Sequence, residues 1–207
     1  MYDDEFELTF DLSDEDKASR APEPEQKPVQ EAAPEPAAET EPAAETEPPV
    51  EPVPEPVVPA ANGRCVLISG GDRGIGAAAA RAFWQAGYRV AVLYHTHAEA
   101  AAALEKALPG LLAVQCDVAS RASCEVAFHT VEQAVGHVDV LVSNAGIAQQ
   151  KLFTDITPEE WQHMLDVNLS GAFHLCQLAL PGMIRRKAGR ILTVSSMWGQ
   201  TGGSCEV

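Results

Sequence analysis

From residue 64 onward, apolar residues fall in short continuous runs separated by amphipathic or alanine-rich stretches. Arg64-Cys65-Val66-Leu67-Ile68-Ser69 ends in glycines and predicts a first strand; a helix from Gly74 to Ala86, closed by Gly87, follows it. Arg89 to Tyr94 predicts a second strand. His97 to Leu108, with Leu104 and Leu108 on one face, predicts a second helix ended by Pro109-Gly110. The unit repeats: a third strand over Leu111 to Cys116, a third helix over Arg121 to Val135, a fourth strand over Val138 to Ser143 and a fifth over Arg190 to Ser195. Thr157 as cap, Pro158 at the first helical position and Glu159 and Glu160 in the first turn start a long helix. Arg185-Arg186-Lys187 reads as a helix end. Strands that are apolar on both faces and joined by helices predict a parallel sheet covered on both sides. Right-handed crossovers make this an α/β, doubly wound, Rossmann-type fold.

Charge divides the chain in two. Residues 1–62 carry 18 acidic and three basic side chains with 12 of the 15 prolines, whereas residues 63–207 carry 12 acids and 11 bases. The first segment, built largely from Pro, Glu, Ala, Thr and Val, cannot bury enough apolar area to offset its ordering entropy and is expected to be a disordered, extended acidic tail. Its first dozen residues differ, because Phe6, Leu8, Phe10 and Leu12 alternate with polar neighbours, a pattern able to add as a strand to a partner protein's sheet. The core therefore belongs to residues 63–207 alone, a length that suits one domain.

The same balance excludes function classes. There is no basic stripe, and an acidic tail repels phosphate, so nucleic acid is not an expected partner. No apolar stretch is long enough to span a bilayer and the chain begins Met1-Tyr2-Asp3-Asp4-Glu5, so a membrane is not expected either and the chain reads as cytoplasmic. The five cysteines, Cys65, Cys116, Cys124, Cys176 and Cys205, form no Cys-x2-Cys pair and no metal-ligand spacing, and read as reduced core thiols.

The candidate chemistry begins at the turn after the first strand, Ser69-Gly70-Gly71-Asp72-Arg73-Gly74-Ile75-Gly76. Here Gly70 permits a tight turn, Gly74 lets backbone approach a pyrophosphate and Gly76 lets the helix lie close to the sheet, with its first amides facing the anion. The spacing Gly-x3-Gly-x-Gly resembles that of the short-chain dehydrogenase/reductase family, and four later motifs extend the resemblance. Cys116-Asp117-Val118 is similar to the family's adenine-contacting Asp-Val. Ser143-Asn144-Ala145-Gly146 is similar to its Asn-Asn-Ala-Gly, with Ser143 in place of the first Asn. Asn168, in Asp166-Val167-Asn168-Leu169, resembles the catalytic-site Asn of the long helix, and Ser196, after Val194-Ser195, resembles the catalytic Ser beyond the fifth strand.

The resemblance implies a nicotinamide cofactor. An NAD(H) enzyme should offer a carboxylate to the ribose about 20 residues past the glycines. The second strand instead ends Tyr94-His95-Thr96-His97, with no acid before Glu99. Arg73 resembles the basic residue that relatives place beside a 2′-phosphate, so NADP(H) is the expected cofactor and NAD(H) the less favoured one.

In complete relatives the Ser polarises a substrate carbonyl, a Tyr in Tyr-x3-Lys donates the proton, the Lys lowers the Tyr pKa and holds the cofactor ribose, and the Asn orders a water relay. That motif stands beyond the Ser, and this sequence ends at Val207, eleven residues past Ser196; Tyr2, Tyr88 and Tyr94 have no Lys four residues on. The expected reading is a fragment of a longer, homo-oligomeric ketone reductase, nearly inert by itself, with the fifth strand a bare edge, unpartnered apolar side chains near Trp161, Leu165 and Phe173, and poor solubility. Trp198-Gly199 and Ser204-Cys205-Glu206-Val207 make the chain resemble most the elongation factor P 5-aminopentanone reductases, whose ketone is attached to a protein lysine and where Glu206 could face an amine; 3-oxoacyl-acyl-carrier-protein reductases are the alternative. Trp161 and Gly189-Arg190-Ile191 are similar to 3-oxoacyl-acyl-carrier-protein reductases. A non-catalytic nucleotide-binding or scaffold protein is the alternative from another class.

Overall fold

The computed structural model describes residues 60–201; the expectations for the acidic tail through residue 59 and for Ser204 to Val207 lie outside the described residues. Five strands alternate with helices: β1 (Cys65–Ser69), α1 (Gly74–Gln85), β2 (Arg89–Tyr94), α2 (Ala98–Ala107), β3 (Leu112–Gln115), α3 (Arg121–Val135), β4 (Val140–Ser143), α4 (Pro158–Leu165), α5 (Gly171–Arg186), β5 (Arg190–Thr193) and a short α6 (Trp198–Thr201). The strands pair in parallel in the order β3-β2-β1-β4-β5. The chain thus builds outward on one side of β1, then crosses to the other, leaving a switch point between β1 and β4. The doubly wound sheet expected from the alternating pattern is the one observed. β2 spans the expected Arg89 to Tyr94, and the other four strands run one or two residues shorter than the apolar runs, as strand ends commonly do.

Alternate strand residues feed two cores, which explains why the runs are apolar throughout. On one face Val66, Ile68, Val90, Val92, Val140 and Val142 pack with Ala80 and Trp84 of α1, Leu104 of α2 and Leu108 at its end. On the other, Leu67, Ala91, Leu93 and Leu141 pack with Cys124, Phe128 and Val131 of α3 and Leu175, Ala179 and Met183 of α5. Each fully buried Leu, Ile or Val contributes roughly 1.5–3 kcal/mol. Trp84 also donates its indole N–H to Pro109 O at 3.0 Å, tying α1 to the end of α2.

The long helix opens as its sequence predicts. Thr157 Oγ1 accepts the Glu160 N–H at 3.2 Å and the Glu160 carboxylate accepts the Thr157 N–H at 2.9 Å, a reciprocal capping box. Between α4 and α5 the helix widens into one π turn, Asp166–Ser170. Arg186 and Lys187 close it, Lys187 in the left-handed conformation at φ 52° and Arg186 Nη2 donating to Val138 O at 2.8 Å. β5 forms the sheet edge and Leu192 is 47% exposed, as are Trp161 (46%) and Phe173 (59%) on the helices; Leu165 is half-buried. Among the described residues no helix is long and apolar enough to cross a membrane.

Candidate functional site

The turn after β1 is held from β4. Ser69, fully buried, accepts the backbone N–H of both Asn144 and Ala145 on Oγ, each at 3.0 Å. Asn144 Nδ2 donates back to Ser69 O and Gly70 O, also at 3.0 Å. These bonds fix the two strand ends that flank the switch point. A side chain at Gly76 would collide with the Gly70 carbonyl and lie 2.7 Å from Asn144 Nδ2, so α1 can start this close to the sheet only with glycine there. Gly70 (φ 61°) and Gly74 (φ 54°) occupy the left-handed region, which glycine adopts without steric cost. The space above Gly74 is open, with nothing within 4 Å of an added Cβ.

Arg73 is the N-cap of α1, and its side chain makes no capping hydrogen bond. The first amides of α1 therefore lack intrahelical partners, and no acidic side chain stands in the first turn to compete for them. A cleft of about 390 Å³ opens over this turn at the carboxyl ends of the strands. Of the residues singled out by sequence, Gly70, Arg73, Gly74, Ile75, Asp117, Val118, Asn144, Ala145 and Gly146 line it. Ser69 and Gly76 lie buried beneath, shaping the wall without forming it. Asp117 shapes its own loop, Oδ1 accepting the Ala119 N–H at 3.0 Å.

The two residues assigned to the chemistry stand apart from the cleft lining. Asn168 sits in the π turn and clamps the loop after β4: Oδ1 accepts the Ile147 N–H at 2.8 Å, and Nδ2 donates to Ile147 O at 2.9 Å. Its second amide hydrogen faces Met164 Sδ at 2.9 Å. The side chain therefore holds backbone, and Gly146 is glycine partly because a Cβ would come within 3.1 Å of Asn168 Oδ1. Ser196 is exposed beyond β5, with Oγ accepting the Trp198 N–H at 3.2 Å.

Sequence reading missed several neighbours. Asp72 is 9% exposed, and its Oδ2 has no hydrogen-bond partner but lies 3.8 Å from His97 Nδ1 across the cleft wall. His97 is also within 3.2 Å of Thr96 Oγ1. Ile147, His163 and Val167 extend the lining on the long-helix side, and Cys116 forms part of it below Asp117. The signal was available only in part: the polar run His95-Thr96-His97 was legible as the end of β2, but its pairing with Asp72 needs the sheet. Among the described residues no group of three or more His, Cys, Asp or Glu is arranged to hold a metal ion.

Comparison with known proteins agrees with this geometry. Residues 64–207 match the family described as short chain dehydrogenase. Over 139 residues the chain is 40% identical to the acetoacetyl-CoA reductase of Shinella zoogloeoides, an alignment covering 67% of this chain and 57% of that protein. Over 144 residues it is 40% identical to the 3-oxoacyl-[acyl-carrier-protein] reductase MabA of Mycobacterium avium, covering 68% and 53% respectively. The chain thus spans about half the length of the curated relatives it matches. A parallel sheet with its crossing point at a glycine turn, a helix start free of acids above it, and these matches together make the chain a member of the short-chain dehydrogenase/reductase family of oxidoreductases.

Proposed function

We propose that the complete protein is an NADPH-dependent ketone reductase acting on a 3-oxoacyl thioester. The observation that carries the cofactor is the cleft wall: free amides at the start of α1, open space above Gly74, Arg73 at its lip, and no carboxylate at the end of β2. These residues fit a dinucleotide with an additional phosphate. The amides at Gly74 and Ile75 would hold the pyrophosphate. The Arg73 guanidinium would pair with the 2′-phosphate, and Asp117 and Val118 would face the adenine.

When bound, NADPH supplies the hydride. Asn144, by holding Ser69 and Gly70, keeps the glycine turn in the shape that presents the α1 amides. Asn168, by holding Ile147, positions the adjoining wall and acts as a positioning residue. The exposed hydroxyl of Ser196 accepts the Trp198 N–H and would donate its own proton to a substrate carbonyl oxygen. The thioester class is supported by the acetoacetyl-CoA and 3-oxoacyl carrier-protein reductases that the chain resembles. The apolar side chains of Leu169, Phe173 and Ile184, all exposed along the long helix, support a homo-oligomeric complete protein.

A second reading, reduction of a ketone attached to elongation factor P, is supported by the sequence Ser196-Met197-Trp198-Gly199. One experiment tests both. NADPH oxidation by the protein expressed from its complete reading frame is followed with acetoacetyl-CoA and, separately, with aminopentanone-modified elongation factor P. Turnover of the thioester is expected; turnover of the modified protein alone selects the second reading, and NADPH binding without either turnover overturns both in favour of a binding protein.

A further inference from the structure

Cys116 and Cys124 are eight residues apart in the sequence, yet their sulfurs lie 4.0 Å apart in the structure. Both are buried, Cys116 at 3% and Cys124 at 0% exposure, but they differ in access because Cys116 lines the cleft. Cys116 directly follows β3, where its N–H donates to Tyr94 O at 2.8 Å, and Cys124 lies in the first turns of α3. The loop between them carries Asp117 and Val118. Cys124 Sγ is 3.5 Å from Val118 O and 3.9 Å from Asp117 O, and Ser123 Oγ accepts the Asp117 N–H at 3.0 Å while donating toward Cys116 Sγ at 3.7 Å. The two thiols therefore share one polar cluster under the loop that forms the cleft floor.

We propose that Cys116 and Cys124 form a peroxide-sensitive dithiol whose oxidation to a disulfide reshapes the cleft and weakens dinucleotide binding. Hydrogen peroxide is small enough to enter the cleft. The Cys116 thiolate attacks one peroxide oxygen, the O–O bond breaks, and hydroxide leaves and is protonated to water, giving a sulfenic acid. Cys124 loses its proton to solvent and its sulfur attacks Cys116 Sγ; the S–O bond breaks, and the departing hydroxide takes up a proton to form a second water. Two thiols are oxidised and one peroxide is reduced. The hydrogen bond shared with Cys124 holds the Cys116 thiol below its ordinary value of 9.0 although burial opposes this, and Ser123 adds in the same direction. Its hydrogen bond to Cys116, and then burial, push Cys124 the other way; Cys116, the one that lines the cleft, is the attacking thiol and the enclosed Cys124 the resolving one.

Closing 4.0 Å to a bond of about 2.0 Å takes Cys124 Sγ from the Asp117 and Val118 carbonyls it now contacts and so disturbs the loop that carries those two residues. That consequence for affinity rests on the proposed dinucleotide function; the crosslink itself does not. The test treats the full wild-type chain with hydrogen peroxide, blocks remaining thiols with an alkylating reagent, and maps the peptides by mass spectrometry without reduction. A Cys116–Cys124 crosslink that forms before any other cysteine is modified, is slowed by NADPH and is reversed by dithiothreitol is the expected result. In Cys124→Ala the expected product is a Cys116 sulfenic acid, trapped by dimedone. Oxidation of Cys116 without a crosslink in the wild-type chain, or no modification of either residue, overturns the proposal. Fluorescence titration then compares reduced and oxidised protein: NADPH binding weakened on the order of tenfold by oxidation is expected. Unchanged affinity overturns the switch while leaving the crosslink, and failure of the reduced chain to bind NADPH strikes instead at the proposed function.

Discussion

Ser69 and Asn144 bond to each other in both directions, the Ser69 hydroxyl accepting the Asn144 backbone N–H and the Asn144 amide donating to the Ser69 carbonyl, each at 3.0 Å. This reciprocal pair joins β1 to the end of β4 beneath the cleft. Replacing Asn144 by Ala removes two donated bonds and leaves the Ser69 and Gly70 carbonyls unsatisfied. A loss of about 1–3 kcal/mol is expected in urea unfolding, together with weaker NADPH binding. Unchanged stability would show that water replaces the side chain.

The two glycines around the start of α1 separate by experiment. Gly76→Ala places a methyl group against the Gly70 carbonyl, so a melting point several degrees lower and a distorted cleft are expected. Gly74→Ala meets no neighbour but is held at φ 54°, which costs roughly 1–2 kcal/mol and fills the open space over the helix amides. Its signature is a loss of NADPH affinity larger than its loss of stability accounts for, read by titration beside thermal melts.

Arg73 is exposed in the cleft wall, so its removal should leave the fold intact. Arg73→Ala is expected to weaken NADPH on the order of tenfold through loss of one charge-assisted pair while leaving NADH nearly unchanged. Parallel titrations with the two cofactors check this; an equal loss for both would place the guanidinium on the pyrophosphate instead.

Asn168 clamps Ile147 from both sides of its backbone. In Asn168→Ala the Ile147 amide should exchange with deuterium faster than in wild type, while amides of β1 and β4 keep their protection. Asn168→Asp retains the acceptor but not the donor and should fall between the two.

Glu160 carries a sign-definite pH dependence. Its carboxyl is held below its ordinary value of 4.5, first by the hydrogen bond from Lys151 Nζ and then by the Thr157 N–H. A carboxyl depressed in the folded state contributes stability that is fully present above that ordinary value and is lost as pH falls through the lowered folded value. Acid titration of wild type against Glu160→Gln, read by circular dichroism, should show the difference between them shrinking as pH drops below 4.5. A constant difference would mean that only the cap geometry contributes.

The sequence by itself determined what local chemistry decides. Continuous apolar runs such as Val66-Leu67-Ile68 could only be strands buried on two faces, Thr157 through Glu160 could only open a helix, and the glycine turn announced an anion site because left-handed positions and close approach demand glycine. The tertiary structure decided what depends on distant segments meeting. Which side of β1 each strand takes, the bond pair of Ser69 with Asn144 and the approach of His97 to Asp72 arise from parallel pairing of strands, and the 4.0 Å between Cys116 and Cys124 from the packing of α3 beside β3. The crossover loops leave no periodic trace of those meetings in the sequence. The π turn at Asn168 was hidden for a related reason: the helical pattern continues through it, and only the backbone hydrogen bonds of the folded helix, the Gly171 N–H reaching back to Asp166 O, distinguish the widened turn from ordinary helix.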